Sequence, residues 1–172
     1  MIIRAEKSEE VLKIREIHMK AFNAEAEANL VEALRRSKIP LISLVAEENN
    51  EPVGHILFSP ATLEDNKSKI SIAGLAPMAV LPAYQKRGIG SALIEEGLRH
   101  CREIGYDAVV VLGYPEYYQR FGFVPSVKYG IKSQYKVPED VFMVKELNRG
   151  ALTGSKGTVK YHSVFMEIFK TF

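Results

Sequence analysis

The hydrophobic period of the chain changes twice between residues 69 and 113, and this change most limits the folds open to the chain. Residues 69–82, "KISIAGLAPMAVLP", form an apolar stretch that is typical of a strand. Apolar residues then recur at helical spacing from Ile89 to Ile104, after which Gly105 favours a helix C-terminus. Residues 107–113, "DAVVVLG", are nearly all apolar, as is typical of a strand buried on both faces. This order predicts a domain that combines a sheet with helices.

Residues before 69 predict further helices and strands. "MIIRAE" predicts an opening strand, and Ser8 is the predicted N-cap of a helix that reaches about Phe22. A second helix is predicted over about 24–36. The segments "LISLVAEE" and "VGHILFSPATLE" flank the turn residues "NNEP", which predicts a hairpin. Together with residues 69–82, and joined to them by a second polar turn at 64–69, the hairpin predicts an antiparallel meander.

The segments after residue 113 complete the predicted fold. "YPEYYQRFGF" predicts a short helix that ends at Gly122, and "VFMVKEL" and "VKYHSVFMEIF" predict strands. We therefore expect one α/β domain, of the α+β kind, over residues 1–172, with a mixed, mostly antiparallel central sheet flanked by helices. Its core spans about 1–124, and 125–172 supply C-terminal strands and loops of the same domain.

Length and charge exclude several classes of protein. The chain has 172 residues, of which 47% are hydrophobic, as in an ordinary globular domain. A net charge of +2 gives no reason to expect a nucleic acid or an anionic membrane as a partner. Cys101 is the one cysteine and is expected in the core, so an internal disulfide is excluded. Because there is neither a signal peptide nor a long apolar span, we expect a cytoplasmic protein.

The stretch "AYQKRGIGSAL", 83–93, places two basic residues and two glycines at the predicted start of a helix. The first N–H groups of a helix lack intrahelical partners and lie at its positive end, where an anion binds well. Glycine lets a ligand approach the backbone, so a pyrophosphate is the predicted ligand. A P-loop needs Lys-Ser/Thr after its second glycine, whereas Gly90 is followed by Ser91-Ala92. A dinucleotide-binding fingerprint needs a small residue at position 93, where this chain has Leu93. A plain tight turn is the alternative.

The hexapeptide "QKRGIG", 85–90, resembles the Gln/Arg-x-x-Gly-x-Gly/Ala signature of the GCN5-related N-acetyltransferases (GNAT). The flanking "MAVLPAY" and "SALIEEGLRHC" and the later Tyr-x-x-x-Gly-Phe follow the order of that family. The resemblance covers the chain to about residue 124, and later pieces resemble a predicted-acetyltransferase branch. It implies an acetyl-CoA-dependent N-acetyltransferase, in which a primary amine attacks the thioester directly. It also implies the GNAT fold, with a splayed strand pair that holds acyl-CoA.

The resemblance implies two groups of residues that bind acetyl-CoA. The backbone amides of the turn would hold the pyrophosphate, and the preceding strand would pair with the pantetheine arm. The turn residues are Gln85, Lys86, Arg87, Gly88, Ile89 and Gly90, and the strand residues are Met78, Ala79 and Val80. Pro77 has no N–H to donate, so we predict a strand bulge there, where the gap for the arm opens. An ordinary edge strand is the alternative.

Acetyl transfer needs a hydrogen-bond donor for the oxyanion and an acid for the departing thiolate. The N–H of Met78 or Val80 is the predicted donor. By the resemblance, Tyr118 is the predicted acid, with Tyr117 and Tyr114 in reserve, and packing of the Tyr118 ring against the sheet is the alternative. A tyrosine pKa of about 10, against about 8.5 for a thiol, makes this proton transfer mildly uphill.

No general base is predicted. The strand before the turn has no carboxylate, although some relatives carry a glutamate there. The other candidates are each expected to be exposed structural residues: Glu25, Glu27, Glu47 and His55. The family often has an asparagine after the buried strand, where this chain has Gly113 and Tyr114. His18, His100 and His162 are scattered, so no metal site is predicted.

Two other functions stay open. A non-catalytic acyl-CoA-binding module is consistent with the missing strand carboxylate. A nucleotide-binding protein could use the same helix terminus, although the failed motifs disfavour it. The acceptor amine is left open between a small molecule and a protein, and the sequence predicts no oligomeric state.

Overall fold

Strands and helices follow the predicted order up to Gly122 in the computed structural model, which describes residues 1–64 and 69–170. The strands are β1 (Ile2–Ala5), β2 (Ile42–Glu48), β3 (Glu51–Glu64), β4 (Ile72–Val80), β5 (Ala108–Leu112), β6 (Val124–Pro125), β7 (Ile131–Ser133), β8 (Phe142–Glu146) and β9 (Gly157–Lys160). The helices are α1 (Val11–Phe22), α2 (Ala26–Arg36), α3 (Ile89–Ile104), α4 (Pro115–Tyr118) and α5 (Val164–Ile168). The second polar turn, predicted at 64–69, falls on residues 65–68, outside the described residues.

The main sheet runs in the order β1-β2-β3-β4-β5-β8-β6. All neighbours on this path are antiparallel except β4 and β5, which are parallel. The far end of β3 pairs with β9, which in turn pairs in parallel with β7. Asn49 and Asn50 both have positive φ and form the tight turn between β2 and β3. The prediction of a mixed, mostly antiparallel sheet with a meander is thus confirmed.

The parallel contact between β4 and β5 is short. Only Ile72–Gly74 pair with Ala108–Val110, and β4 then continues to Val80 without pairing with β5. The register against β3 shifts between the pairs Phe58↔Leu75 and Ile56↔Met78, so β4 carries an extra residue at Ala76–Pro77. The bulge predicted at Pro77 is confirmed. We call the opening between the unpaired part of β4 and the end of β5 the strand gap.

Helices cover both faces of the sheet. On one face, α3 packs Ile89, Leu93 and Cys101 against the sheet, together with Phe58. On the other face, α1 and α2 pack with β2 and β3 around a second apolar cluster, which includes Ile14, Leu34 and Leu57. Cys101 is fully buried, and burial raises the pKa of its thiol to about 12. It is therefore a core residue, as predicted.

Two local predictions are wrong. Ser8 is not an N-cap, because it begins a short 3-10 helix, Ser8–Glu10, whose N-cap is Lys7, and Glu10 is the N-cap of α1. The Lys7 N–H donates to the Glu10 carboxylate at 2.7 Å. The segment predicted as one strand from "VKYHSVFMEIF" leaves the sheet after Lys160 and forms α5. There Phe165 stacks on Tyr161 with ring centroids 4.7 Å apart, so this segment buries its aromatic residues as a helix.

Candidate functional site

The glycine turn leads into the N-terminus of α3. Lys86 and Gly88 both have positive φ, 62° and 83°, and Gly88 occupies the N-cap without a side-chain cap. The first intrahelical bond runs from Ala92 N to Gly88 O at 3.1 Å, so the three N–H groups of residues 89–91 have no acceptor within the helix. No atom of the described residues lies within 4 Å of a Cβ placed on Gly88. The turn is therefore open to an anion.

The edge of β4 presents its backbone to the strand gap. Leu81 N donates to Val53 O at 2.8 Å, and backbone bonds alternate along an antiparallel pair. It follows from the register that the N–H groups of Val80 and Met78 are directed away from β3, toward the strand gap. The carbonyl of Val80 accepts a bond from Gln85 Nε2 at 3.0 Å, on the same side. The predicted oxyanion donors thus face the opening.

A cavity of about 460 Å³ joins the glycine turn to this strand edge, and we call it the turn cavity. Its walls bring together nearly all the residues predicted to bind acetyl-CoA: Met78, Ala79, Val80, Gln85, Lys86, Gly88, Ile89 and Gly90. The side chain of Arg87 is the exception. Its Nη2 lies 3.5 Å from Glu48 Oε2, and its guanidinium lies over the ring of Tyr84, a lining residue, but Arg87 does not itself line the cavity. The charge of Arg87 is therefore paired with Glu48 at the surface beside the turn.

Three side chains near the helix N-terminus were not predicted as ligand-binding residues. Tyr117, Ser91 and Arg120 also line the turn cavity. The Arg120 guanidinium lies 4.8 Å from the centre of the Tyr117 ring, and its Nη2 donates to Ser91 Oγ at 3.4 Å. A Cβ on Gly90 would lie 2.8 Å from the Tyr117 hydroxyl, so Gly90 leaves room for that group. The sequence contained one signal that could have identified two of them, because Tyr117 and Arg120 are three residues apart and such residues share a helix face.

Tyr118 is the last residue of α4, and its ring lies over Gly113, just after the end of β5. Its ring packs edge-to-face on Phe123 at 5.7 Å and on Tyr117 at 5.1 Å, and covers Gly113 so closely that a Cβ there would not fit. This explains the glycine where the family often has an asparagine. Burial raises the pKa of Tyr118 well above its usual value, so the hydroxyl stays protonated at neutral pH, and proton transfer to a thiolate is more uphill than for an ordinary tyrosine. Tyr118 does not line the turn cavity, whereas Tyr117, the reserve residue, does.

The four candidate bases occupy different environments. Glu25 is exposed, as expected, and pairs with Arg15 at 3.5 Å. Glu47 is half-buried and pairs with Arg4 at 2.6 Å, so it is not exposed. Glu27 is also half-buried, and its Oε2 is buried with no hydrogen-bond partner among the described residues. The expectation of an exposed residue is therefore wrong for Glu27 and Glu47.

His55 was also expected to be exposed, and it is fully buried. Its register position on β3 places it against His18 of α1, with Nε2 of His18 2.8 Å from Nδ1 of His55. Nε2 of His55 lies 2.7 Å from Ser43 Oγ. Burial, with a smaller contribution from Arg35, lowers the pKa of His18 to about 3, and burial also lowers the pKa of His55. Neither ring lines the turn cavity.

A second cavity, of about 210 Å³, lies on the other side of the β4 bulge. Leu75, Ala76 and Pro77 of β4 form one wall, and Glu27 of α2 forms another. Aromatic rings supply most of the remaining lining: Phe22, Tyr135, Tyr161, Phe165 and Phe169. We call it the aromatic cavity. Phe22, at the C-terminal end of α1, lines both cavities.

Two features are absent from the described residues. Within 1–64 and 69–170, no three His, Cys, Asp or Glu side chains are grouped so that they could hold a metal ion. Over the same residues, no helix has both the length and the apolar character that crossing a membrane requires.

Comparison with known proteins shows that the chain is similar to acetyltransferases. The family model described as the acetyltransferase (GNAT) domain matches residues 2–125. Escherichia coli K12 has two similar proteins, both named as uncharacterized N-acetyltransferases. YhbS is 34% identical over 166 residues, covering 96% of this chain and 98% of its own. YjhQ is 41% identical over 130 residues, covering 74% of this chain and 72% of its own.

Solved structures give the same similarity in three dimensions. The crystal structure of YhbS from Escherichia coli in complex with CoA has a TM-score of 0.90 at 34% identity, covering 99% of this chain and 92% of that chain. A GNAT family acetyltransferase from Brucella melitensis, in complex with acetyl-CoA, has a TM-score of 0.77 at 34% identity. It covers 95% of this chain and 97% of that chain.

Proposed function

This chain belongs to the GNAT family of acetyltransferases and is an acetyl-CoA-dependent N-acetyltransferase, and we propose how its own residues carry out the transfer. The observation that carries the proposal is the continuity of the turn cavity. One opening combines uncommitted helix N–H groups with the unpaired edge of β4. A diphosphate and an extended amide-bearing arm need these two surfaces side by side.

The turn binds the diphosphate in this proposal. The N–H groups at the start of α3 supply hydrogen bonds and the positive end of the helix dipole. Lys86 and Arg120 add positive charge at the cavity wall. Gln85 is held by its bond to the Val80 carbonyl, which fixes the turn against β4. Met78, Ala79 and Val80 present the strand edge along which the pantetheine arm lies.

The proposed chemistry forms one C–N bond and breaks one C–S bond. A neutral amine attacks the thioester carbonyl, and the N–H of Met78 or Val80 stabilises the oxygen as it gains negative charge. Tyr118 donates its proton to the departing thiolate and regains a proton from the nitrogen of the new amide, which is acidic until then. One proton is released overall, because the acceptor arrives as an ammonium ion and leaves as a neutral amide.

The proposal also covers the extent and location of the enzyme. We propose that residues 1–172 form one acetyltransferase domain. The support is that β8, from the C-terminal part, lies within the main sheet and that β9 pairs with β3. We propose a cytoplasmic location, since acetyl-CoA is supplied there and the one cysteine is a buried free thiol.

The acid is tested by comparing two neighbouring tyrosines. Tyr118→Phe should lower kcat by about 100-fold, the usual contribution of a general acid, with the Kd of acetyl-CoA unchanged. Tyr117→Phe should leave kcat within about threefold and raise the KM of acetyl-CoA, since Tyr117 lines the turn cavity. The measurement is thiol release in steady state, with calorimetry for binding. Equal kcat for Tyr118→Phe and the wild type would remove Tyr118 from the mechanism.

A non-catalytic acyl-CoA-binding protein is the competing outcome. Purified protein is incubated with acetyl-CoA and a broad panel of primary amines, and thiol release is followed. Release that depends on an amine supports the enzyme. A thermal shift with acetyl-CoA but no release with any amine would favour the binding module.

A further inference from the structure

Glu27 is half-buried at the wall of the aromatic cavity, and one of its carboxylate oxygens, Oε2, is buried there. Its Oε2 has no hydrogen-bond partner among the described residues, and no ion pair to it is found there either. The other three carboxylates on α1, α2 and the segment between them all form ion pairs. A buried polar atom without a partner costs free energy, more so when it is charged. Glu27 therefore lacks a cation that a ligand could supply.

The walls around Glu27 suit the flat, apolar part of such a ligand. Tyr161 and Phe165 stack with centroids 4.7 Å apart, and Tyr135 lies 6.3 Å from Tyr161. Burial raises the pKa of Tyr161, so its hydroxyl is uncharged, and Glu27 is the only acidic or basic side chain among the lining residues apart from tyrosine. Aromatic faces also attract ammonium groups. One negative charge among aromatic rings matches one ammonium on an apolar body.

The position of the cavity connects it to the reaction. Leu75, Ala76 and Pro77, which form its wall, include the bulge of β4 at Ala76–Pro77 and directly precede Met78. A molecule in the aromatic cavity thus lies next to the part of the strand gap where the thioester is proposed to lie. The volume of about 210 Å³ equals that of about seven liquid waters, enough for one ring with a short aminoalkyl arm.

We infer that the acceptor is a small primary arylalkylamine, and that Glu27 binds its ammonium group in the aromatic cavity. This inference rests on the proposed function. An α-amino acid fits poorly, because its carboxylate would lie near Glu27 with no cation in the lining. Spermidine fits poorly too, because its further ammonium groups would be placed among apolar walls without counter-charges.

The first experiment compares acceptors. With saturating acetyl-CoA, thiol release is measured for 2-phenylethylamine, phenylalanine, spermidine and a peptide with an N-terminal phenylalanine. We expect 2-phenylethylamine to have a kcat/KM that exceeds each of the others by at least tenfold. A higher value for phenylalanine, spermidine or the peptide would overturn the substrate class and leave the acetyltransferase function intact.

The second experiment compares two glutamates, with 2-phenylethylamine as the acceptor. Glu27→Gln keeps the shape of the side chain and removes its charge, and should raise the KM of this amine by tenfold or more without changing the KM of acetyl-CoA. Glu25→Gln is the matched control, because Glu25 is exposed two residues earlier and pairs with Arg15. It should change neither KM. Equal effects of the two variants would overturn the role of Glu27.

Binding measurements separate this inference from the proposed function. NMR titration measures binding of two ligands to the wild type and to Glu27→Gln. The neutral analogue 2-phenylethanol should bind both proteins equally, whereas 2-phenylethylamine should bind the wild type at least tenfold more tightly than it binds Glu27→Gln. An acetyl-CoA thermal shift equal to that of the wild type verifies that Glu27→Gln is folded. If 2-phenylethylamine binds as expected but no amine gives thiol release, the enzyme function fails and the amine site stands. If acetyl-CoA-dependent release occurs but 2-phenylethylamine does not bind, the amine site fails.

Discussion

At the scale of single residues, the pair formed by His18 and His55 links the fold to pH. Both rings are fully buried and touch through their nitrogens, and burial lowers the pKa of each. In the unfolded chain the same rings have an ordinary pKa of about 6.5. Between that value and the lowered values of the native state, the unfolded chain binds more protons. Acidification through this range therefore destabilises the native state.

We predict that the free energy of unfolding falls from pH 7 to pH 5 by about 2 kcal/mol for each of the two histidines. Urea unfolding at the two pH values measures the change. Few carboxylates titrate above pH 5, so this window isolates the histidines. In the double variant His18→Leu, His55→Leu the fall should largely disappear, whatever the stability at pH 7. An unchanged pH dependence in that variant would contradict the assignment.

Residues whose role is local could be predicted from the sequence, and those whose role depends on distant packing could not. The glycines at 88 and 90 and the proline at 77 mark backbone constraints that are legible within a few residues. Glu27 looked like a surface residue because its cavity is completed by Tyr135, Tyr161 and Phe165, more than 100 positions later in the chain. His55 looked exposed for the same reason, since its partner comes from α1.

At the scale of elements, the two ends of α3 offer a matched comparison. Gly88 and Gly105 flank this helix, both have positive φ, and neither has an atom of the described residues within 4 Å of the position that a Cβ would occupy. Gly88→Ala and Gly105→Ala should each cost about 1–2 kcal/mol of stability, because a left-handed backbone is unfavourable for alanine. The two variants should therefore lose about the same free energy of unfolding.

Only Gly88→Ala should weaken CoA binding, by about tenfold or about 1.4 kcal/mol, because the N-terminal N–H groups lie at that end alone. Chemical denaturation gives the stability of each variant, and isothermal titration calorimetry gives the Kd of CoA. Equal loss of CoA affinity in both variants would show that general destabilisation, and not the turn, governs binding.

The elements also differ in how well the sequence predicts them. α3 and β5 have long, regular apolar patterns and were predicted within one residue of their ends. The segment after Lys160 was wrongly extended as a strand, because the apolar residues Val164 and Ile168, four positions apart, fit both the strand and the helix period over so short a stretch. In the folded chain this turn of helix buries Phe165 against Tyr161, four residues earlier.

At the scale of the whole molecule, the main sheet consists of two parts joined by a short seam. β1 to β4 form one part, and β5, β8 and β6 form the other. The backbone pairing between them spans three residue pairs, from Ile72–Gly74 to Ala108–Val110. A molecule that binds along β4 beside β5 therefore contacts both parts of the sheet. Its binding should raise the free energy of unfolding of the whole domain.

We predict that CoA at 100 times its Kd raises the free energy of unfolding by about 2.7 kcal/mol, as binding to the native state alone requires. Hydrogen exchange should also slow at the Met78 and Val80 amides, which face the strand gap. Thermal unfolding and amide exchange, each with and without CoA, are the measurements. A stabilisation without any slowing at these two amides would place CoA away from β4.

Strand β3 has a consequence for how sequences of this kind can change. It pairs with β4 over most of its length, from Gly54 to Ala61, and with β9 at its C-terminal end, so one continuous strand sets the register of both neighbours. Side chains alternate between faces along a strand, so deleting one residue between Phe58 and Thr62 would invert Thr62, Leu63 and Glu64. Such an indel would displace β9 and the aromatic wall that follows it. We therefore expect exchanges of side chains around the aromatic cavity to be tolerated better than changes in the length of β3.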